Sequence, residues 1–417
     1  MTTTHQSINF SIAYYSGDRK TGAITVIKRD NGETTTTAIE TLAATDLAIE
    51  RKPVFVGLSK ENKVILLDPE SNEILIKPYF PEDAFAAHIY SDPNSNRDWL
   101  MNDGDKATGN DQLNCGDKGS SVTVVEDTTS TNASHLKTIC VGRGHHQATF
   151  SYPSTNHANT PSQAYISNLK DGTVSVIGNN PDDAENYLSV IATINLCEPD
   201  KEEDKSAGAS PNNAFPHGLV FSSVSGKIYN LNNGYGTVVV IDPINCNIEN
   251  RFEFKGHSNL FASPCGHFVL GRGADRKSDA EHVIAKLSVI DVTDTQIKNS
   301  IDLKDIYISK YFFNPEGTRL YLTTSSSGSD EQKAHLKTDA LLVFDMTALP
   351  TLKLISETRL GASVGTLDFV TKNSETQLMF SSNASEGTIA VMNIDGELLE
   401  KIAVAKTASH SRLWTLN

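Results

Sequence analysis

The chain is poor in cysteine. Five cysteines lie scattered over 417 residues, and no two of them form a CxxC pair. They are too few for the disulfide framework of a small secreted domain, and the missing CxxC pair argues against a cysteine-based zinc ribbon. Covalent haem attachment is excluded because no CxxCH motif occurs. The odd count leaves at least one thiol unpaired, while the spacing of Cys115 and Cys140 is compatible with one disulfide within a repeat.

The chain is also poor in positive charge and in long apolar runs. It carries 36 Lys and Arg against 51 Asp and Glu, a formal net charge of −15. Phosphate binding needs a basic stripe, so a nucleic-acid partner is excluded. No apolar run approaches the roughly 18 residues that a bilayer requires, so no membrane span is predicted. Residues 1–16 lack the basic and apolar regions of a secretory signal. The sequence therefore predicts a cytoplasmic protein, or a periplasmic one from which a leader has been removed.

Short β-branched runs recur along the whole chain. Several are followed by an acidic residue and a turn, and each has the β-branched character of a buried central strand. The runs are residues 24–27, 64–67, 122–125, 174–177, 238–241, 287–290, 341–344 and 389–392. Their period of roughly 50 residues lies in the range of β-propeller blades. Other strand-like segments and turn residues surround each run, which gives four strands per blade.

The two ends of the chain complement each other. Residues 10–14 have the pattern of a second blade strand without a first, and residues 412–416 that of a first strand without a second. Joining them in one blade closes the ring and removes exposed sheet edges. We therefore predict an all-β fold: a single β-propeller domain over residues 1–417, with about eight four-stranded blades. Seven blades result if residues 52–69 fold irregularly.

Histidines recur at one position of the predicted innermost strands. Four repeats carry histidine four residues before an aromatic residue, and these are His146, His217, His257 and His410. His145 adds a neighbour, and His88 lies two residues further into its strand, on the same side and one layer deeper. Because innermost strands line the central channel, these side chains converge on one mouth. Neutral imidazole is a common ligand of zinc and copper, so the register predicts a metal site.

His146, His217 and His257 come from three consecutive blades, so we predict them as the core ligands. His145 and His410 are predicted as auxiliary ligands. Asp103, at the mouth-side end of a strand, is a candidate to complete the site or to orient a histidine. For each histidine alone the alternative is a hydrogen bond to the main chain, and for Asp103 it is an Asp-Gly turn. His282 and His335 fall in loops on the same face, but no metal is assigned to them.

Two segments carry a family resemblance. Phe-Pro-His-Gly-Leu-Val-Phe-Ser at 215–222, followed by Gly-Thr-Val-Val-Val-Ile-Asp at 236–242, resembles the YVTN-type propeller repeat. That repeat is shared with the haem d1 propellers and nitrous oxide reductase, and it implies the fold more than the function.

The chain is also similar to propeller zinc chaperones, which deliver metal to the solute-binding partner of an ABC-type zinc importer. Gly144, His145 and His146, then Gly256 and His257, carry this resemblance, with a cysteine nearby at position 265. The chain departs from those proteins in lacking a histidine-rich stretch and a secretion signal. The resemblance implies zinc or copper handling, with a metal ion as cargo and a metal-transfer protein as partner.

Two alternatives remain open. One is a copper-dependent oxidoreductase at the same histidines, as in nitrous oxide reductase and thiocyanate dehydrogenase, which the register resembles. A variant of it would hold a haem through one histidine, with Arg143, Arg272 or Arg276 on its propionates. The other is a metal-free interaction scaffold that binds through loops such as residues 102–119.

Metal analysis separates these classes. Protein purified without a polyhistidine tag is expected to contain stoichiometric zinc or copper if the histidines form a site, and a scaffold would contain neither. Colour and an electron paramagnetic resonance signal then distinguish copper or haem from zinc, which has a filled d shell and gives neither.

Overall fold

The computed structural model describes the chain unevenly. Up to residue 87 and from residue 408 it describes backbone strands alone, and over most of residues 88–403 it describes side chains as well. Within that span, side chains are described except at residues 104–114, 116–118, 127–133, 145, 205, 207–208, 362–363, 372–373 and 382–385.

The described strands form eight four-stranded antiparallel sheets. The first part of the chain forms β1 (Ile12–Asp18), β2 (Ala23–Asp30), β3 (Glu33–Glu40), β4 (Ala44–Ala48), β5 (Val54–Leu58), β6 (Lys63–Leu67) and β7 (Ile74–Ile76). Two sheets follow, from β8 (Ala86–Ser91), β9 (Arg97–Asn102), β10 (Ser120–Glu126), β11 (Ser134–Val141), β12 (Ala148–Ser151), β13 (Gln163–Asn168), β14 (Thr173–Gly178) and β15 (Val190–Asn195).

The next two sheets consist of β16 (Pro216–Ser222), β17 (Lys227–Asn232), β18 (Thr237–Asp242), β19 (Asn247–Glu253), β20 (Asn259–Ala262), β21 (Phe268–Asp275), β22 (Ile284–Asp291) and β23 (Gln296–Lys304). The last strands are β24 (Ile308–Phe313), β25 (Arg319–Thr324), β26 (Ala340–Asp345), β27 (Lys353–Arg359), β28 (Val364–Lys372), β29 (Glu375–Asn383), β30 (Thr388–Met392), β31 (Leu398–Ala403) and β32 (Ala408–Thr415).

Most sheets follow chain order, each strand pairing with the next, whereas β32 pairs with β1 in the order β3-β2-β1-β32. The prediction of an all-β propeller of four-stranded blades is confirmed. The count of eight blades and the closure of the ring stay predictions, because the side chains of the first sheets and of β32 lie outside the description.

Burial explains the β-branched runs. The second and third strands of a blade are buried on both faces, as β13 and β18 show, whereas outer strands such as β23 alternate between exposed and half-buried residues. Apolar side chains of adjacent blades meet in shared clusters. Trp99 of β9, for example, packs edge-on against Phe150 of β12 with 5.6 Å between the ring centroids. Each fully buried aliphatic or aromatic side chain contributes about 1.5–3 kcal/mol, so the interfaces between blades supply the core.

One face of the propeller carries the loops that concern the site. Because strands alternate in direction, the loops that enter a blade and the loops between its second and third strands open on the same side. We call this side the mouth face. Four of its loops concern the site. Residues 254–258 connect β19 to β20, and residues 276–283 connect β21 to β22. Residues 305–307 connect β23 to β24, and residues 325–339 connect β25 to β26.

The described helical segments are helix α1 (Asp330–His335) and a 3-10 turn, Met346–Ala348. Helix α1 lies in the Ser-rich mouth-face loop and starts with a reciprocal capping box between Ser329 and Gln332. No helix in the described part of the chain is long and apolar enough to cross a membrane.

Cys115 and Cys140 form the disulfide that their spacing allowed. It joins the segment before β10 to strand β11 and closes a loop with a sequence separation of 25. The thiols of Cys197, Cys246 and Cys265 are free.

Replacing Cys115 with serine is expected to lower the free energy of unfolding by about 3 kcal/mol, because the open loop gives the unfolded chain more conformational entropy. Unfolding in urea under non-reducing conditions measures the difference. The matched control is Cys265→Ser, which removes an exposed free thiol. Equal stability of the two variants would contradict the structural role of the disulfide.

Candidate metal centre at the mouth face

His146 lies two residues before β12 and is fully buried. Its Nδ1 is 2.9 Å from Oδ1 of Asp103, and its Nε2 is 2.9 Å from the carbonyl oxygen of Gly142. Asp103 follows the last residue of β9 and is itself buried. The structure thus brings two of the predicted site residues into contact. Both ring nitrogens therefore lie at hydrogen-bond distance from oxygen acceptors, a carboxylate on one side and a carbonyl on the other.

His217 is placed by a β-bulge. The register between β16 and β17 shifts between Pro216 and Leu219, and a bulge of this kind redirects side chains. Gly218 makes the bulge possible, because its φ is +143° and an added Cβ would lie 2.7 Å from the backbone nitrogen of Leu260. His217 donates from Nδ1 to the carbonyl oxygen of Ser258 over 2.7 Å. This bond selects the tautomer whose lone pair is on Nε2, the form found in metal-binding histidines.

His257 is held inside the protein. It stacks on the ring of Phe254 at 3.7 Å between centroids and donates from Nδ1 to the carbonyl oxygen of Phe254 over 3.2 Å. Its Nε2 lies 2.8 Å from the hydroxyl of Ser288. Burial lowers the pKa of His257 to about 4, so the ring is neutral at physiological pH. The loop at residues 254–258 packs closely against Gly273, which has no side chain. An added Cβ at Gly273 would lie 2.0 Å from the carbonyl oxygen of Gly256.

The remaining predicted ligands are described less fully. His88 lies in β8, half-buried, with its ring centroid 6.3 Å from that of Tyr90. His145 lies outside the described residues. The backbone of His410 pairs with Gly17 across β1 and β32, and its side chain lies outside the description.

The structure brings together part of the predicted set. Asp103 contacts His146, and His217 bonds to the residue that follows His257. Among the residues that the structure describes, no group of three or more His, Cys, Asp or Glu side chains is arranged to hold a metal ion. The predicted cluster of six histidines, two of whose rings lie outside the description, therefore stays a prediction.

The arginines proposed for haem propionates have protein partners. The guanidinium of Arg143 forms an ion pair with Asp171 at 2.6 Å and donates to the carbonyl oxygen of Ala209. Arg272 donates to the carbonyl oxygen of Ile308 over 2.9 Å. Arg276 donates to the hydroxyl of Ser327. Each of the three guanidinium groups thus makes at least one bond within the protein.

A second group of metal-binding side chains, to which the sequence analysis assigned no metal, lies on the same face. Nδ1 of His282 is 2.7 Å from Oδ1 of Asp305, and the ring centroid of His335 is 4.9 Å from that of His282. These residues occupy three different loops. The one signal in the sequence is that His282 and His335 both fall between the second and third strands of their blades.

Solved structures share the fold. The dihydro-haem d1 dehydrogenase NirN in complex with DHE has a TM-score of 0.61 at 11% identity, over 96% of this chain and 74% of that one. AztD from Citrobacter koseri has a TM-score of 0.57 at 12% identity, over 98% of this chain and 99% of that one. The periplasmic gluconolactonase PpgL from Pseudomonas aeruginosa has a TM-score of 0.54 at 12% identity, over 97% and 99%. No family model and no curated protein sequence matches the chain.

The buried ring of His257 predicts a pH dependence. Its pKa of about 4 lies below the ordinary value of 6.5. Between these two values the unfolded chain binds a proton that the folded protein does not, so stability falls as the pH is lowered through this window. The resulting loss in the free energy of unfolding amounts to roughly 3 kcal/mol once the pH has fallen through the whole window.

Urea unfolding at pH 7 and pH 4 measures this effect, with His257→Gln as the comparison. The variant lacks the titrating ring. Between pH 7 and pH 4 its free energy of unfolding is expected to fall by roughly 3 kcal/mol less than that of the parent. A folded-state NMR titration in which His257 takes up its proton near pH 6.5 would contradict the prediction.

Proposed function

We propose that this propeller binds a transition-metal ion at the mouth of its channel, zinc first and copper second, and passes it to a protein partner. The observation that carries the proposal is the orientation of His217, whose Nδ1 donates to the main chain at Ser258. In metal sites, the bond on one ring nitrogen fixes the tautomer and directs the other nitrogen to the metal. Histidines at the equivalent place before β12 and β20 give the proposal its second and third ligands.

Similarity of fold supports the same proposal at a coarser level. AztD, a zinc metallochaperone, matches this chain over nearly its full length. The metal is cargo in this proposal, so the site must release it as well as bind it.

His257 can become a ligand by giving up one hydrogen bond. The hydroxyl of Ser288, which now contacts its Nε2, is also 2.7 Å from the hydroxyl of Ser300. Ser288 therefore keeps a partner when the imidazole turns to a metal. A neutral hydrogen bond contributes about 1 kcal/mol, and structural zinc ions in peptides bind with about 10 kcal/mol or more. The free energy of metal binding therefore outweighs the loss of this hydrogen bond.

His146 can change partners in a similar way. Its bond to Asp103 can remain while Nε2 leaves the carbonyl oxygen of Gly142, releases its proton to solvent and binds the metal with the freed lone pair. A histidine held by a carboxylate on one nitrogen and by a metal on the other is a recurring arrangement in zinc proteins. Asp103 would then orient His146 and increase its basicity, the second of the two roles that the sequence suggested.

The disulfide bears on the compartment. Disulfides persist in oxidising compartments and are rare in the cytosol, and Cys115 is bonded to Cys140. The disulfide therefore supports a periplasmic location, the second of the two compartments expected from the sequence. A partner that receives the metal there would be a metal-transfer protein.

A metal-free interaction scaffold is the second candidate. It is favoured by the hydrogen bonds on both ring nitrogens of His146 and of His257. In this alternative the two rings tie mouth-face loops to strands and bind no metal.

Replacing His217 with alanine tests the first proposal against the second. The variant is expected to lose one equivalent of bound zinc while its thermal unfolding is unchanged, because His217 is only half-buried and contributes little to the core. Isothermal titration of tag-free protein with zinc chloride measures the stoichiometry. His267→Ala, which removes an exposed histidine in the turn after β20, is the matched control. Full zinc stoichiometry in His217→Ala would contradict the assignment.

A further inference from the structure

We infer that His282 and His335 form a second, more exposed zinc site on the mouth face, with Asp305 orienting one of its two ligands. It shares no residue with the site proposed above, and it does not rest on that proposal. The juxtaposition of the three side chains at the junction of two blades carries the inference.

Asp305 fixes the chemistry of His282. Its carboxylate accepts a hydrogen bond from Nδ1 of His282 over 2.7 Å, so the lone pair of the neutral ring lies on Nε2. A carboxylate bonded to the far nitrogen of a histidine orients the ring and makes it a more basic ligand. Both side chains are about one-fifth exposed, so the pair is sheltered but accessible.

The distance between the two histidine rings suits a shared metal ion. Their centroids are 4.9 Å apart and the planes are inclined by 50°. Two imidazoles on one tetrahedral zinc, with metal–nitrogen bonds of about 2.0–2.1 Å, have centroids roughly 5 Å apart. The separation of the two rings is therefore compatible with one shared zinc ion. Because His335 is exposed, a rotation of its side chain can direct a nitrogen to the metal.

The main chain around the two histidines is held in place. The backbone nitrogen of Asp305 donates to the carbonyl oxygen of Val283, the residue after His282, over 2.8 Å. The carbonyl oxygen of Asp305 accepts from the backbone nitrogen of Lys337 over 2.9 Å. The buried Gln332 side chain donates to the carbonyl oxygens of Arg276 and Asp279 over 3.1 and 2.8 Å. These bonds join the three loops, so the positions of both ligands are defined before a metal arrives.

Two histidines leave a tetrahedral zinc with two further positions for water or for ligands from another molecule. A groove of about 870 Å3 runs from Gly256, beside His257, to the loops that carry these histidines, and it is lined by Asp279 and Gln332. The groove neighbours the site without being lined by its histidines, and the exposure of His335 itself leaves the open positions within reach of a small molecule or a partner.

Zinc titration in a background that lacks two of the three core ligands of the first proposed site tests the inference. The probe is zinc chloride, and the protein is the tag-free full chain that carries His217→Ala and His257→Ala. We expect this background to retain one equivalent of zinc and His335→Ala within it to weaken zinc binding at least tenfold. Asp305→Asn should weaken binding about tenfold. Asparagine tolerates the backbone φ of +60° at this position, so the fold is kept.

His267→Ala in the same background is the control and should leave zinc affinity unchanged. An NMR readout in the unaltered protein covers the case in which a variant folds poorly: the ring signals of His282 and His335 should shift together at one equivalent of zinc.

A background that binds no zinc, or His282→Ala and His335→Ala variants with parental affinity, would overturn the inference. If the unaltered protein binds zinc and the background binds none, the result supports the first proposed site instead of the second. The experiment therefore distinguishes failure of the second site from failure of the first.

Discussion

Each blade of this protein must bury both faces of its inner strands against its neighbours, and the rest of the structure depends on that constraint. A four-stranded sheet cannot bury two apolar faces alone, so blades stack side by side around an axis. Val174 and Val176 of β14 show the result, since they pack with Leu219 and Phe221 of the next blade. The same stacking directs the start of every innermost strand towards one mouth. Chemistry at the mouth is therefore assembled from distant parts of the chain.

Burial imposes a second demand at the mouth, because buried polar groups need hydrogen-bond partners. His146 and His257 meet it with carbonyl, carboxylate and hydroxyl oxygens of their own surroundings. A metal site at these residues must compete with bonds that the fold already makes. His217 is half-buried at a bulge, so its ring lies less deep than those of His146 and His257.

The mouth-face loops follow a different logic. They are free of the strand register, so their side chains are placed by the hydrogen bonds between loops. Gln332 and the backbone of Asp305 make those bonds, and they bring His282 near His335 across two blades. This pair is more exposed to solvent than the rings of His146 and His257. The two sets of histidines thus differ in burial more than in chemistry.

The spacing of Cys115 and Cys140 allowed a disulfide without deciding it, and the sequence by itself determined the local features: the β-branched runs and the four strands of each blade. These depend on neighbouring residues or on a repeat that the chain displays openly. It also determined that His146, His217 and His257 occupy equivalent positions. Only the tertiary structure decided that Asp103 bonds to His146 and that Asp305 bonds to His282. Such pairs depend on which loops meet when blades pack, and the spacing of residues along the chain carries no record of that distance.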